Sequence, residues 1–267
     1  MDKKEIIKIA SIYMENANDN YINEKYSISK TIIGTRIFDK PLFSFGAAAD
    51  GLFNKLKEPA AIGEHFMLPT EWLITAKTVI CFFLPFNKKV RASNYIDKKW
   101  PSAQWLHGRI EGQELLLKLC LFLKEKIQES GYKSVIPALD SRFWNNSDHV
   151  FTSNWSERHA GYVCGLGTFG LSKGLITEKG VAGRFGSIIS ELYLEPDERK
   201  YNNIYEYCNR CGKCTKQCPV NAICLKNGKN HLICSEFLKI TSSKYNPRYG
   251  CGKCQVNVPC ESKIPIR

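Results

Sequence analysis

The residues of this chain best suited to chemistry are its cysteines. Cys208-Asn-Arg-Cys211-Gly-Lys-Cys214-Thr-Lys-Gln-Cys218-Pro219 places three thiols at two-residue intervals, then a fourth three residues on, followed by proline. That spacing fits a short loop wrapping one iron–sulfur cubane, with the fourth cysteine starting a helix and reaching a second cluster. Proline after it suits a first helical turn, where no N–H is needed. Cys224, Cys234, Cys251, Cys254 and Cys260 follow. Zinc is the rival for a single CxxC pair, but a structural zinc site takes only four ligands. The reading is therefore two [4Fe–4S] clusters. With crossed ligation, Cys208, Cys211 and Cys214 hold one cluster with a distant fourth ligand, and Cys218 joins Cys234, Cys251 and Cys254 at the other. Cys260 is the expected distant ligand. Its interval from Cys254 is longer than in the usual run, and Cys224 is its rival.

The elements that must carry these thiols can be read from hydrophobic periodicity. Ile6, Ile9, Ala10, Tyr13 and Met14 predict a helix over 3–16 with Asp2 as its cap. Residues 43–51 read as an irregular segment or a short helix entry. Thr78 to Leu84 is a continuous apolar run and predicts a buried strand. A long helix is expected from about 104 to 130, its apolar face made by Leu115, Leu116, Leu119, Phe122, Leu123 and Ile127, with Gly131 stopping it. Further strands are expected at 134–139 and 186–194, and a helix at 156–165. The polar and aromatic stretch 141–155 is long for a connection and reads as a site-building or lid loop. Gly165, Gly167 and Gly170 match G-x-G-x-x-G, but they follow a helix rather than a strand, so close backbone approach to some ligand is the broader reading. Cys81, Cys120 and Cys164 read as core packing. The alternation of strands and helices implies an α/β domain over 1–200, with a cluster module over 201–267.

The formal charge of the 267 residues is +12. Two ligated clusters, each near −2, bring this to about +8. A basic surface can attract polyanions, among them an acidic flavodoxin, although scattered lysines are more simply a solvated face. No window approaches a membrane span or a signal peptide, and the thiols argue for a reducing interior, so a cytoplasmic protein is expected.

The order of motifs resembles the epoxyqueuosine reductases and their relatives, the reductive dehalogenases. The resemblance is carried by Gly108-Arg109 before the long helix, Leu139-Asp140-Ser141, Glu157-Arg158 eight residues before Gly165-Leu-Gly167, and Phe185-Gly186-Ser-Ile-Ile. In the cysteine region it continues through Cys218-Pro-Val-Asn-Ala, Cys234-Ser-Glu-Phe-Leu and Tyr249-Gly-Cys251-Gly-Lys-Cys254. It implies a nitroreductase-like, corrinoid-binding α/β domain followed by a two-[4Fe–4S] ferredoxin-like module. Electrons would pass through the clusters to cobalamin, which reduces a small substrate or is itself reductively activated. By resemblance, Asp140 is the candidate general acid, and Arg109, Gly167, Phe169, Ser172 and Ser187 are candidates for lining the cofactor. His149 and His159 are lesser candidates for a cobalt ligand. A flavodoxin or ferredoxin is the implied donor.

The departures are as informative. About eleven extra residues separate Asp140 from Glu157, and Ile110-Glu-Gly stands where the family has Asp-Tyr-His. The chain also ends seven residues after Cys260, without the extension those reductases use to hold tRNA, so tRNA is not the expected partner. FMN is the alternative cofactor, because nitroreductase-like folds can bind one. A non-catalytic two-cluster electron carrier with a partner-docking domain is the alternative function.

Overall fold

The computed structural model describes residues 1–146 and 151–266. In chain order the elements are α1 (Lys3–Asn16), β1 (Leu42–Ala47), α2 (Gly51–Lys55), α3 (Pro69–Trp72), β2 (Thr78–Pro85), α4 (Lys88–Ile96), α5 (Ala103–Glu129) and β3 (Ser134–Val135). There follow β4 (Asn145–Asn146), β5 (Thr152–Ser153), α6 (Glu157–Cys164), β6 (Gly167–Phe169), β7 (Leu175–Thr177) and β8 (Gly183–Ser190). The cysteine region adds α7 (Lys213–Lys216), β9 (Ile223–Cys224), β10 (Gly228–Lys229) and α8 (His231–Tyr245).

The main sheet has the order β1-β2-β8-β3, and every neighbouring pair is antiparallel. β2 is buried at all eight positions, as its continuous apolar run requires of a strand covered on both faces. Its alternate side chains divide two cores. Ile80, Phe82 and Leu84 pack with Ile188 of β8 against α1 and the Leu115, Leu116, Leu119, Leu123 face of α5. Val79 and Cys81 pack with Ile189 against Ala160, Val163 and Cys164 of α6 and the rings of Phe53, Phe66 and Trp155. The result is a mixed α/β fold with helices on both sides of the sheet. Leu119 is fully buried, and truncating such a side chain to alanine costs about 2–5 kcal/mol. The three buried cysteines Cys81, Cys120 and Cys164 belong to these cores.

Local signals explain the helix ends. The Asp2 carboxylate accepts from Glu5 N–H at 2.8 Å and Ser102 Oγ from Trp105 N–H at 3.1 Å, each an N-cap. α5 stops at Glu129, and Gly131 takes the left-handed conformation that follows many helices. Three expectations need correction. Residues 42–47 form strand β1, paired to β2 with Phe45 opposite Ile80, where the sequence suggested no strand. The strand expected at 134–139 pairs only through Val135, because Pro137 has no N–H to give a ladder and opens a 3-10 turn instead. Cys218 does not start a helix: the short α7 precedes it, and Cys218-Pro219 enters a turn closed by Asn221 N–H to Cys218 C=O at 3.3 Å.

The cysteine region is bound to the rest of the chain at several places. Val181 N–H donates to Cys260 C=O at 2.9 Å, Asn94 Nδ2 to Cys251 C=O at 2.9 Å, and Phe169 N–H to Ile204 C=O at 2.7 Å. Buried Lys253 donates to the carbonyls of Asn94 and Asp97 at the end of α4, at 2.5 and 2.8 Å. Buried Arg248 pairs with Glu111 of α5.

Candidate functional site

The thiols fall into two neighbouring groups. Cys208, Cys211, Cys214 and Cys260 line one small cavity, whose wall also includes Ser172 and Gly170. Burial pushes the Cys260 thiol up to about 12, and the charges of Cys214, Cys208 and Cys211 push in the same direction. In the second group, burial raises Cys254, with Lys229 opposing and Cys234 and Cys218 adding to the rise. Cys251 is raised to about 12 by burial, and Cys254 and Cys234 are among its charged neighbours. The groups adjoin, since Cys254 also acts on Cys214. Cys224 stands apart: it is exposed in the β9–β10 hairpin, and its sulfur accepts from Asn227 N–H at 3.3 Å. Among the described residues, no three His, Cys, Asp or Glu side chains converge as a single ion would need. A cubane spreads its thiolates wider than one ion does.

Beside the second group is a cluster of arginines: Arg158 at the start of α6 and Arg109 in α5 both act on Arg184 at the start of β8, with Tyr249 nearby. Glu157, Arg158, Arg184 and Cys254 all keep solvent-accessible surface while protein surrounds them on nearly every side. We read that combination as the wall of a recess beside Cys254. Arg158 donates to Lys173 C=O at 2.7 Å and is an electrostatic neighbour of Cys254. Arg184 donates to Gln113 Oε1 at 2.5 Å, and Arg109 lies over the Tyr249 ring at 4.3 Å. Burial, with the charges of Arg109 and Arg158, pulls Arg184 down to about 9. Burial also pushes Glu157 up to about 8, against hydrogen bonding with Ser187 and Trp155. Its proton is therefore largely retained at neutral pH. Arg109 Nε, Arg184 Nε, Glu157 Oε2 and Gln255 Oε1 are buried without a hydrogen-bond partner among the described residues. Each such group calls for an explanation, and two of them, Arg109 and Arg184, are close enough for their charges to act on one another.

Of the residues singled out in the sequence, Arg109 joins this cluster, whereas Ser187 lies on the other face of β8 from Arg184. Ser187 is fully buried and accepts from Trp155 Nε1–H at 3.0 Å. Ser172 instead belongs to the first thiol cavity, where its Oγ accepts from Gly174 N–H. The glycines form a β6–β7 hairpin and not a phosphate-binding turn. Gly165 is the left-handed cap of α6, and a side chain at Gly167 would strike the Ile176 carbonyl. Phe169 packs on the His159 ring at 4.8 Å. His159 is held by Ser156 at 2.8 Å, and burial, then the Arg158 charge, takes it down to about 4. His149 lies outside the described residues.

Asp140 is held in an ion pair with Arg142. Both of its oxygens bond Arg142 at 2.8 Å, and Arg142 is itself tied to the carbonyls of Glu71 and Trp72. The Arg142 hydrogen bond holds the Asp140 carboxyl down at about 2, so it is ionised at neutral pH. The sequence reading singled out neither Arg184 nor Glu157 for a role of its own. Arg184 had a legible signal, a charged residue at the head of an otherwise apolar strand. Glu157 had none beyond its place in the family spacing.

Residues 202–224 match the 4Fe-4S binding domain. No curated protein matches the chain in sequence. Among solved structures, the chain is similar to an epoxyqueuosine reductase determined with a tRNA-Tyr epoxyqueuosine-modified tRNA stem loop, at a TM-score of 0.57 and 17% identity, covering 99% of this chain and 66% of that one. It is similar to the epoxyqueuosine reductase of Bacillus subtilis, determined with its catalytic aspartate loop swung out of the active site, at 0.52 and 17%, covering 99% and 66%. It is also similar to a catabolic reductive dehalogenase in complex with 3-bromo-4-hydroxybenzoic acid, at 0.53 and 13%, covering 98% and 37%. The chain thus has the fold of the epoxyqueuosine reductases and reductive dehalogenases. It spans about two thirds of the former and about a third of the latter. Among the described residues, no helix is long and apolar enough to cross a membrane.

Proposed function

We propose that the chain is an iron–sulfur reductase that carries two [4Fe–4S] clusters and receives a corrinoid in the recess beside Cys254. Cys208, Cys211, Cys214 and Cys260 would hold one cluster, and Cys218, Cys234, Cys251 and Cys254 the other, within a module spanning 201–267. The observation that carries this reading is the cluster of Arg109, Arg158 and Arg184, which adjoins the second thiol group through Arg158 and Cys254. When bound, the clusters would supply single electrons and the corrinoid a two-electron reduction of a small organic substrate, or the corrinoid would itself be the species activated.

The donor set of the recess fits such a guest. The guanidinium groups of Arg109 and Arg184 suit the carbonyl-rich amide edge of a corrin. Glu157, beside Arg158 at the start of α6, would hold a proton and act as the general acid. Asp140 could take that role only after leaving Arg142, a movement akin to the swung-out loop of the Bacillus subtilis relative.

Anaerobic purification with cobalamin supplied, followed by iron, cobalt and flavin quantification on one sample, tests the proposal. Eight irons and one cobalt per chain are expected. Eight irons with flavin instead would move the reading to FMN, and eight irons with neither would leave an electron carrier. A modified tRNA stem loop, which a relative binds, belongs in the first substrate screen beside small organic substrates.

A further inference from the structure

The cavity holding Cys208, Cys211, Cys214 and Cys260 opens beside a second depression on the outer surface. Cys208 lines both. The rim of the depression carries Lys173, Arg210 and Lys226, all exposed, with Tyr205. None of the three cations is ion-paired among the described residues, and no acid lines the depression. Glu206, next along the chain from Tyr205, turns to the amides of Asn202 and Asn203 at 2.7 and 3.2 Å. Tyr205 and Leu225 each leave about half of their surface open (52% for both). Arg210 is fixed to the hairpin by donating to the Leu225 carbonyl.

Two further features set this patch apart from a generally lysine-rich surface. Cys211 is exposed, whereas the other thiols of its group are partly covered. Lys173 and Arg210 both hold left-handed backbone, with φ of 57° and 52°. Non-glycine residues held there cost roughly 1 kcal/mol or more each, and such strain gathers where geometry serves function. Cys218, Cys234, Cys251 and Cys254 are all partly covered, so the first thiol group, through Cys211, is the more open of the two.

We propose that this depression is where a small acidic one-electron carrier protein docks to reduce the first cluster, an inference that rests on the cluster reading above. Three unpaired cations around an apolar centre complement an acidic carrier, steering encounter and setting its orientation. Redox encounters bury little surface and need few contacts, which the size of this patch satisfies. In each encounter the carrier is oxidised by one electron and the cluster reduced by one, with no bond made or broken. Two encounters provide the pair that a two-electron reduction consumes.

The test uses the full chain with its clusters loaded and a flavodoxin as the probe. Calorimetric titration at low ionic strength measures binding, and stopped-flow bleaching of the cluster absorbance measures reduction. The parent should bind flavodoxin and lose affinity as salt is raised, because exposed charges are screened. Lys173→Glu/Lys226→Glu leaves the cysteine loop untouched and should weaken binding and slow reduction at least tenfold. Reduction by photoreduced deazaflavin, which needs no docking, should proceed as in the parent. Equal flavodoxin affinity in parent and variant would overturn the proposal. So would a parent that deazaflavin reduces but flavodoxin neither binds nor reduces. A preparation without iron overturns the cluster reading and this inference together, and iron is assayed on the same sample.

Discussion

Arg248, from the segment before Cys251, donates through Nη2 and through Nε at 3.3 Å to Glu111, midway along the longest helix of the main domain. Glu111 also faces the ring of buried His107 at 3.2 Å, and Arg248 reaches the Tyr26 carbonyl at 2.8 Å. Burial raises the Glu111 carboxyl, but the His107 and Arg248 hydrogen bonds outweigh it and the group is lowered. A depressed carboxylate contributes stability above its unfolded value and loses it as acid protonates the folded form. Arg248→Ala leaves the carboxylate half-buried without its cation. It should cost about 3 kcal/mol, lowering Tm by roughly 6–12 °C at neutral pH. Thermal unfolding of parent and variant at pH 7 and pH 4 checks both the size of the loss and its shrinkage in acid.

Cys260 and Cys224 make opposite predictions. Cys260→Ala should leave about four irons of eight per chain, because Cys260 shares a cavity with three other thiols. Cys224→Ala should keep all eight, since that thiol is exposed in its hairpin. Iron analysis with electron paramagnetic resonance of the reduced samples decides between them, and the reverse pattern would exchange their roles.

Glu157 carries a pH signature. Its folded value, about 8, lies above the ordinary 4.5 because burial disfavours the charged form. Stability from a raised group is complete below the unfolded value and is lost as pH rises towards the folded one. Between roughly pH 4.5 and 8 the parent should therefore lose stability that Glu157→Gln does not lose. At pH 8 the variant should unfold at least about 3 °C above the parent, with the gap closing near pH 4.

The same variant separates the two candidate acids. With a substrate in hand, Glu157→Gln should lower turnover by roughly 10²-fold or more while iron and corrinoid content stay normal. Asp140→Asn should change turnover less than threefold, because its carboxylate is already ionised and paired with Arg142. A large loss in Asp140→Asn alone would restore the acid role to Asp140.

Arg184→Met tests the guest of the recess. It removes an orphaned donor but keeps side-chain bulk, so cobalt per chain should fall at least tenfold in affinity while iron remains at the parent level. Unchanged corrinoid binding would place the guest elsewhere.

What could be read from the sequence was what is local. The β2 run and the α5 face each lie within a few turns of chain, and each appears where expected; Cys208, Cys211 and Cys214 of the cysteine run line one cavity. β1 was missed because Phe43-Ser-Phe-Gly-Ala-Ala has no clear alternation, and it becomes a strand only through pairing with β2, some 35 residues later. The glycine segment was ambiguous for the opposite reason: the same spacing serves a phosphate turn or a hairpin, and only the Ile176 carbonyl against Gly167 decides. The recess was beyond reach, since Arg109, Arg158 and Arg184 come from three separate elements. The Asp140–Arg142 pair was within reach, two residues apart, but resemblance drew attention to the carboxylate and away from its neighbour.

Lys253 sits between the two cysteines of Cys251-Gly-Lys-Cys254, yet its ammonium closes the end of α4 in the main domain. The loop that presents two thiols is thus addressed by a helix some 160 residues earlier, and the division at residue 200 is a boundary in chemistry but not in folding. The cysteine segment is not a cassette to be moved to another scaffold. Its thiols would arrive without the Asn94 and Asp97 carbonyls that hold the Lys253 loop.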